Sequence, residues 1–179
     1  MIEKNTQKNK GFTIIETLVA ITILMISIAG PLTIAEKGLL ASVNNRDQIT
    51  ASYLAQDLVE YIKNVRDTDL LNGNQIFYQL GSCLNTFCNI DTTTDIPTSP
   101  IVKPCSTATD CIMFIDSEGY YRASDPGGGI RTNFSRSAEI QAVDSPANTK
   151  YLLIVSVSWR TGTVSNQIVI KDILTNVLR

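Results

Sequence analysis

The stretch Lys8-Asn9-Lys10-Gly11-Phe12-Thr13-Ile14-Ile15-Glu16 joins a basic, polar leader to an apolar run, and residues 12–35 carry one formal charge, Glu16. As a helix this run extends about 36 Å at about 1.5 Å per residue, enough to cross a bilayer with some tilt. The carboxylate is out of place in a plain anchor. An acidic side chain at the centre of a membrane helix costs on the order of 2.5–3.5 kcal/mol, less near an end. Ionisable groups in such segments usually have a partner, and the nearby cations, Lys4, Lys8 and Lys10, stand on the far side of Gly11. A cut after Gly11 creates a new one, the α-amino group of Phe12. That amine is open to Glu16 of its own chain or to Glu16 of a neighbouring helix, and in the second case the carboxylate is an assembly device.

Two plainer readings cover the same residues. In a secretory signal peptide, Ser27-Ile28-Ala29 would be the small-residue cleavage site, but its apolar region would then contain Glu16 and the cut would be followed at once by Pro31. A simple signal anchor would hold a globular part outside the cell without needing Glu16.

Lys10-Gly11 followed by Phe12-Thr13-Ile14-Ile15-Glu16 and an apolar run resembles the cleavage and methylation signature of type IV pilins and pseudopilins, over about the first third of the chain. The resemblance implies that Gly11 ends the leader, that Phe12 is the N-methylated first residue of the mature chain, and that Glu16 is the assembly glutamate. It also implies a helix bend at Gly30-Pro31, set slightly closer to the N-terminus than in many members. It implies a prepilin peptidase, other pilin or pseudopilin subunits and an inner-membrane assembly platform as partners. The location implied is the cytoplasmic membrane, single-pass with an extracytoplasmic head, and then a pilus or pseudopilus.

Composition bounds the remainder. Of the 179 residues, about 110 lie beyond the long helix, room for one modest core. Losing a leader with three Lys and one Glu takes the formal net charge from −2 to −4, so no basic field for nucleic acid is evident. The absence of His removes His-based acid/base catalysis, Ser-His and Cys-His pairs and His metal ligation.

The chain divides into a leader (1–11), a transmembrane or filament-core helix (12–35), an amphipathic helix (36–67), an irregular cysteine-bearing region (68–111) and an antiparallel sheet (112–179). Along the amphipathic helix Leu39, Leu40, Val43, Leu54, Leu58, Ile62 and Val65 form an apolar stripe, opposite Arg46, Asp47, Gln56, Asp57, Lys63 and Arg66. Ala51 to Glu60, with Arg66-Asp67, resembles the post-membrane helix of I-type minor pilins. In the membrane half Thr13, Glu16, Ala20, Ser27 and Gly30 share a face, and small residues let helices approach closely in lipid.

Asn72-Gly73-Asn74, Asp91-Thr92-Thr93-Thr94-Asp95, Pro97, Pro100 and Pro104 mark turns and loop. Cys83, Cys88, Cys105 and Cys111 read as two disulfides outside the membrane, the local pairs Cys83–Cys88 and Cys105–Cys111 being preferred among three connectivities. Zinc on the same thiols is the rival, disfavoured by the spacings. Strands follow at Cys111–Ile115, Tyr120–Arg122, Phe134–Val143, Tyr151–Arg160 and Ile168–Ile170, four or five in all. Leu153, Val155, Val157 and Trp159 alternate, and Val155–Trp159 before a Gly turn resembles the closing hairpin of I-type minor pilins. The expected fold is α+β: a long N-terminal helix packed on a small C-terminal antiparallel sheet.

Chemistry in the head is sparse. Gly127-Gly128-Gly129 lacks the frame of a phosphate loop and reads as a flexible loop. Asp110, Asp116, Glu118 and Asp125 offer oxygens for calcium, though no calcium-loop pattern is present and a solvated acidic surface is the simpler reading. Tyr120 and Tyr121 offer a stacking surface, yet strand alternation alone would expose one of them. The expected function is a non-enzymatic minor pilin or pseudopilin subunit of a type IV pilus or type II secretion-like pseudopilus, with no cofactor and no metal. The alternative is a membrane-anchored binding or adhesion module that does not assemble.

Overall fold

The computed structural model describes residues 11–93, 99–144 and 149–176. The chain separates into two compact units, Met1–Val43 and Asn44–Arg179, with the boundary inside one helix, α1 (Ile14–Leu71). In the first unit every described residue is exposed. The second unit holds a 3-10 helix (Tyr78–Cys83) and seven strands: β1 (Cys88–Asp91), β2 (Ile101–Pro104), β3 (Ile112–Ile115), β4 (Tyr121–Arg122), β5 (Ile130–Ala142), β6 (Lys150–Thr161) and β7 (Val164–Thr175).

The architecture is the expected α+β one, with α1 packed on an antiparallel sheet. Along α1 the apolar residues from Ala51 onward recur at helical spacing, and Leu54, Leu58, Ile62 and Val65 are buried together with Leu153, Val155, Val157 and Trp159 of β6 and Ile140 of β5. Each fully buried aliphatic side chain of this kind stabilises the fold by about 1.5–3 kcal/mol. β6 is the spine of a hairpin: Thr161 pairs with Val164 across Gly162-Thr163, and Gly162 has φ of 61°, the left-handed backbone that a two-residue turn takes at its first central position. β5 is central. One of its edges pairs with β6 from Phe134 to Ala142, while the other pairs with β3 near its start and with β1 at Ala138.

Several boundaries differ from the sequence reading. α1 runs to Leu71 rather than stopping at Asp67, because Asn72 and Gly73 still donate to Thr68 and Leu70 carbonyls and only Gly73, at φ 72°, turns the chain out. Residues 68–111 are not wholly irregular. They contain the 3-10 helix, β1 and β2, and β1 is buried at all four positions, so it shows no period-two alternation to read. Pro104, a loop marker, ends β2, an edge strand that can spare an N–H. Of the apolar stripe, Leu39, Leu40 and Val43 are exposed. Asp47, placed on the polar face, is buried and accepts a hydrogen bond from Thr161 Oγ1 at 3.0 Å. The marker residues Thr94, Asp95 and Pro97 lie outside the described residues.

The two bridges join Cys83 to Cys88 and Cys105 to Cys111. The first ties the 3-10 helix to β1 and the second ties the end of β2 to the start of β3, so each closes a loop of five or six residues where a weak element would otherwise fray. Loops this short limit the entropic gain to about 2 kcal/mol each.

The most buried charge is Arg136 on β5, fully enclosed. Its guanidinium donates to the Ile90 carbonyl (2.7 Å) and Asn89 Oδ1 (3.2 Å) of β1, and to the Leu54 carbonyl (3.3 Å) and Asp57 Oδ2 (3.0 Å) of α1. Thr92 Oγ1 donates to the same Asp57 oxygen at 2.5 Å. Removing the guanidinium strands buried acceptors on two elements at once, so Arg136→Ala is expected to destabilise the head by about 3–5 kcal/mol in urea unfolding. Arg136→Lys should recover only part of this, since one ammonium cannot span the same fork. An Arg136→Ala protein as stable as the parent would show that the clamp is dispensable.

Candidate functional site

The sequence singles out the start of α1. Gly11, Phe12 and Thr13 precede the helix, and all are exposed, Phe12 at 79%. Thr13 begins the helix by accepting three times: its carbonyl takes the N–H groups of Glu16 and Thr17, both at 3.1 Å, and its Oγ1 shares the N–H of Glu16 at 3.4 Å. This is an N-cap, and Thr13-Ile14-Ile15-Glu16 has the Thr-x-x-Glu spacing of a capping box. Reading Glu16 only as a buried charge in need of a cation misses this local signal. Glu16 stands in the first turn, where the exposed N–H groups and the helix dipole favour a negative charge. Lys4, Lys8 and Lys10 lie outside the described residues.

Beyond the cap, the apolar half answers its own polar groups. Thr17, Thr22 and Ser27 donate their hydroxyls to the carbonyls of Ile14, Val19 and Leu24, each at 2.8 Å, and Thr33 donates to Gly30 at 2.8 Å. Hydroxyls closed on their own helix enter lipid at low cost. Gly30 and Pro31 lie inside the continuous helix, where Pro31 has no N–H to offer the preceding turn. The apolar half of this helix is long and apolar enough to cross a membrane, and it is exposed among the described residues. Glu16, Gly30 and Pro31 are thus strung along one helix, with Phe12 just before its start, and they do not converge into a pocket.

In the head two of the four carboxylates weighed for calcium, Asp116 and Asp125, have other work. Asp116 accepts N–H groups of Glu118 (3.0 Å) and Tyr120 (2.9 Å) on one oxygen and Arg122 Nε (2.8 Å) on the other, and the Arg122 hydrogen bond above all lowers its carboxyl pKa. Asp125 Oδ1 accepts the N–H groups of Gly127, Gly128 and Gly129 at 2.9–3.1 Å, which also lowers its pKa. The triple glycine is therefore wrapped around a carboxylate, with Gly127 and Gly128 at φ 94° and 103°. Among the described residues no group of three or more acidic or cysteine side chains is gathered for a metal.

Asp172 of β7 lies 2.6 Å from Lys63 Nζ on α1, and this pairing lowers the Asp172 pKa from 3.8. A carboxyl depressed in the folded state contributes stability that is complete above its unfolded value and is lost as pH falls through the folded one. Urea unfolding midpoints of the parent and Asp172→Asn proteins should accordingly differ at neutral pH, and the gap should close as pH falls below the ordinary carboxylate range through the lowered value. A gap that persists unchanged at low pH would remove the pair from the acid response. At the other end of α1, Thr13→Ala should hasten amide exchange at Glu16 by the loss of about 0.5 kcal/mol of capping, and Thr13→Ser should restore it.

Residues 6–30 match the family model described as the prokaryotic N-terminal methylation motif. No curated protein and no solved structure matches the chain. The apolar helix and the motif together fit a membrane-anchored pilin. The motif is the signal of a type IV pilin-like precursor processed by prepilin peptidase, a class of structural subunits rather than enzymes.

Proposed function

We propose that the chain is a minor pilin or pseudopilin subunit: cut after Gly11, N-methylated at Phe12, stored in the cytoplasmic membrane by residues 12–35 and assembled into a type IV pilus or a type II secretion-like pseudopilus. The observation that carries this reading is the conjunction of the motif with a helix whose apolar half is exposed among the described residues. Such a surface is tolerated in lipid, and in a filament it would be covered by the same surface of other subunits. Small residues at Ala20, Ser27 and Gly30 support close helix approach. Gly30-Pro31 is the natural place for a bend in that helix, because proline removes one hydrogen bond and crowds the preceding turn. Glu16 supplies the directional element, its carboxylate meeting the Phe12 amine of a neighbour while both are out of water.

Gly11→Leu is expected to leave the full-length chain, because a protease working at the membrane edge must approach the backbone closely there; mass spectrometry reads the N-terminus. A mature N-terminus at Gly30 would instead favour a signal peptide. Glu16→Val should be cleaved normally after Gly11 and accumulate in the membrane, yet be absent from sheared filaments and from co-purified pilin subunits. Incorporation equal to that of the parent would deny Glu16 a docking role and favour a membrane-anchored binding or adhesion module.

A further inference from the structure

One face of the head carries a groove of about 720 Å³ between α1 and the β3–β4 hairpin, within the size range of ligand sites. Tyr53 of α1 and Tyr120 of the hairpin line it, and they are 68% and 57% exposed. Large rings left this open on a small head have the composition of interface anchors, where tyrosine is enriched. The groove is also charged in one sense. Arg122 lines it, but that guanidinium is taken up by Asp116 (2.8 Å) and Asp91 (3.7 Å) and donates as well to Thr93. Asp57 gives Oδ2 to buried Arg136 and leaves Oδ1 without a hydrogen bond among the described residues. Glu118 lines the groove with no hydrogen bond or salt bridge to its carboxylate among the described residues. Four carboxylates on and behind the walls thus meet two guanidiniums, a surplus of two negative charges beside two exposed aromatic faces.

From this we propose that the groove is a docking site for a partner protein that inserts an arginine or lysine side chain between Tyr53 and Tyr120, with Glu118 and the open oxygen of Asp57 as its counter-ions. The choice of occupant follows from charge complementarity: a cation is attracted both by tyrosine faces and by carboxylates, and it needs no partner from Arg122. A neutral ligand would leave the surplus charge unanswered, and an anion would be repelled by it. The partner's cation loses water on entering, which is why both the rings and the carboxylates are needed. This site lies wholly within the head and does not depend on how the membrane helix is used.

The test uses the full chain in detergent, titrated by calorimetry with acetyl-tetra-arginine amide, with maltotriose as a neutral probe. Saturable one-to-one binding of the arginine peptide is expected. It should weaken about tenfold or more in Glu118→Gln and in Tyr120→Ala, both exposed positions whose circular dichroism should match the parent. Asp110→Asn removes an equal charge from a residue that does not line the groove, and it should bind as the parent does. Failure to bind the peptide, equal weakening by Asp110→Asn, or parental binding by both groove variants would each overturn the proposal. Binding of maltotriose in place of the peptide would overturn the choice of ligand. Sedimentation of the free protein adds a last arm: self-association that is lost in Glu118→Gln would assign the groove to a second copy of this chain and overturn the foreign partner.

Discussion

The head depends on one buried guanidinium. Arg136 sits in the middle of the central strand, is closed off from water, and reaches the backbone or side chains of both β1 and α1. A buried charge of this kind is costly to desolvate, and burial lowers its pKa while Asp57 opposes that shift. It is tolerated because the fork has five donors and finds acceptors for its bonds on elements far apart in sequence. Apolar burial would hold α1 against the sheet with some freedom to slide. Directional bonds from Arg136 to Leu54 and Asp57 select one register of the helix against β5. The same residue fixes β1, a strand of four residues with one short neighbour, through Asn89 and Ile90.

Around that clamp the weaker parts are secured locally. The bridges at Cys83–Cys88 and Cys105–Cys111 close the segments entering and leaving β1 and β2. Asp116 and Asp125 each organise a turn by accepting several N–H groups, and Asp144 accepts those of Thr149 and Lys150. The groove beside α1 emerges from this arrangement. Asp57 belongs to both, because its Oδ2 completes the Arg136 clamp and the residue also lines the groove.

The first unit obeys a different constraint. Its described side chains are exposed, and its hydroxyls bond within the helix. Thr13 and Glu16 show how one short motif serves two levels. The hydroxyl of Thr13 caps the start of the helix, and Glu16 places a carboxylate in the first turn, where its own helix favours a negative charge.

How much of this the amino-acid order determined by itself follows from the range of the interactions involved. The membrane-length helix, the processing motif, the closing hairpin at Gly162 and the alternating Leu153, Val155, Val157 and Trp159 all rest on near neighbours or on a short period, and they are legible. So was the Thr-x-x-Glu cap, a local signal overshadowed by the oddity of the charge. β1 and β2 were not, because β1 is buried at every position and is a strand only by virtue of its pairing with β2 and β5. The exposure of Leu39, Leu40 and Val43 was equally hidden, since an apolar stripe continues along a helix whether or not a sheet lies beneath it. Only the tertiary structure decided that Arg136 and Asp57, 79 residues apart, would meet, and that Tyr53 and Tyr120 would face one groove. The physical reason is that desolvation and charge pairing depend on which distant elements pack together, and no local pattern encodes that.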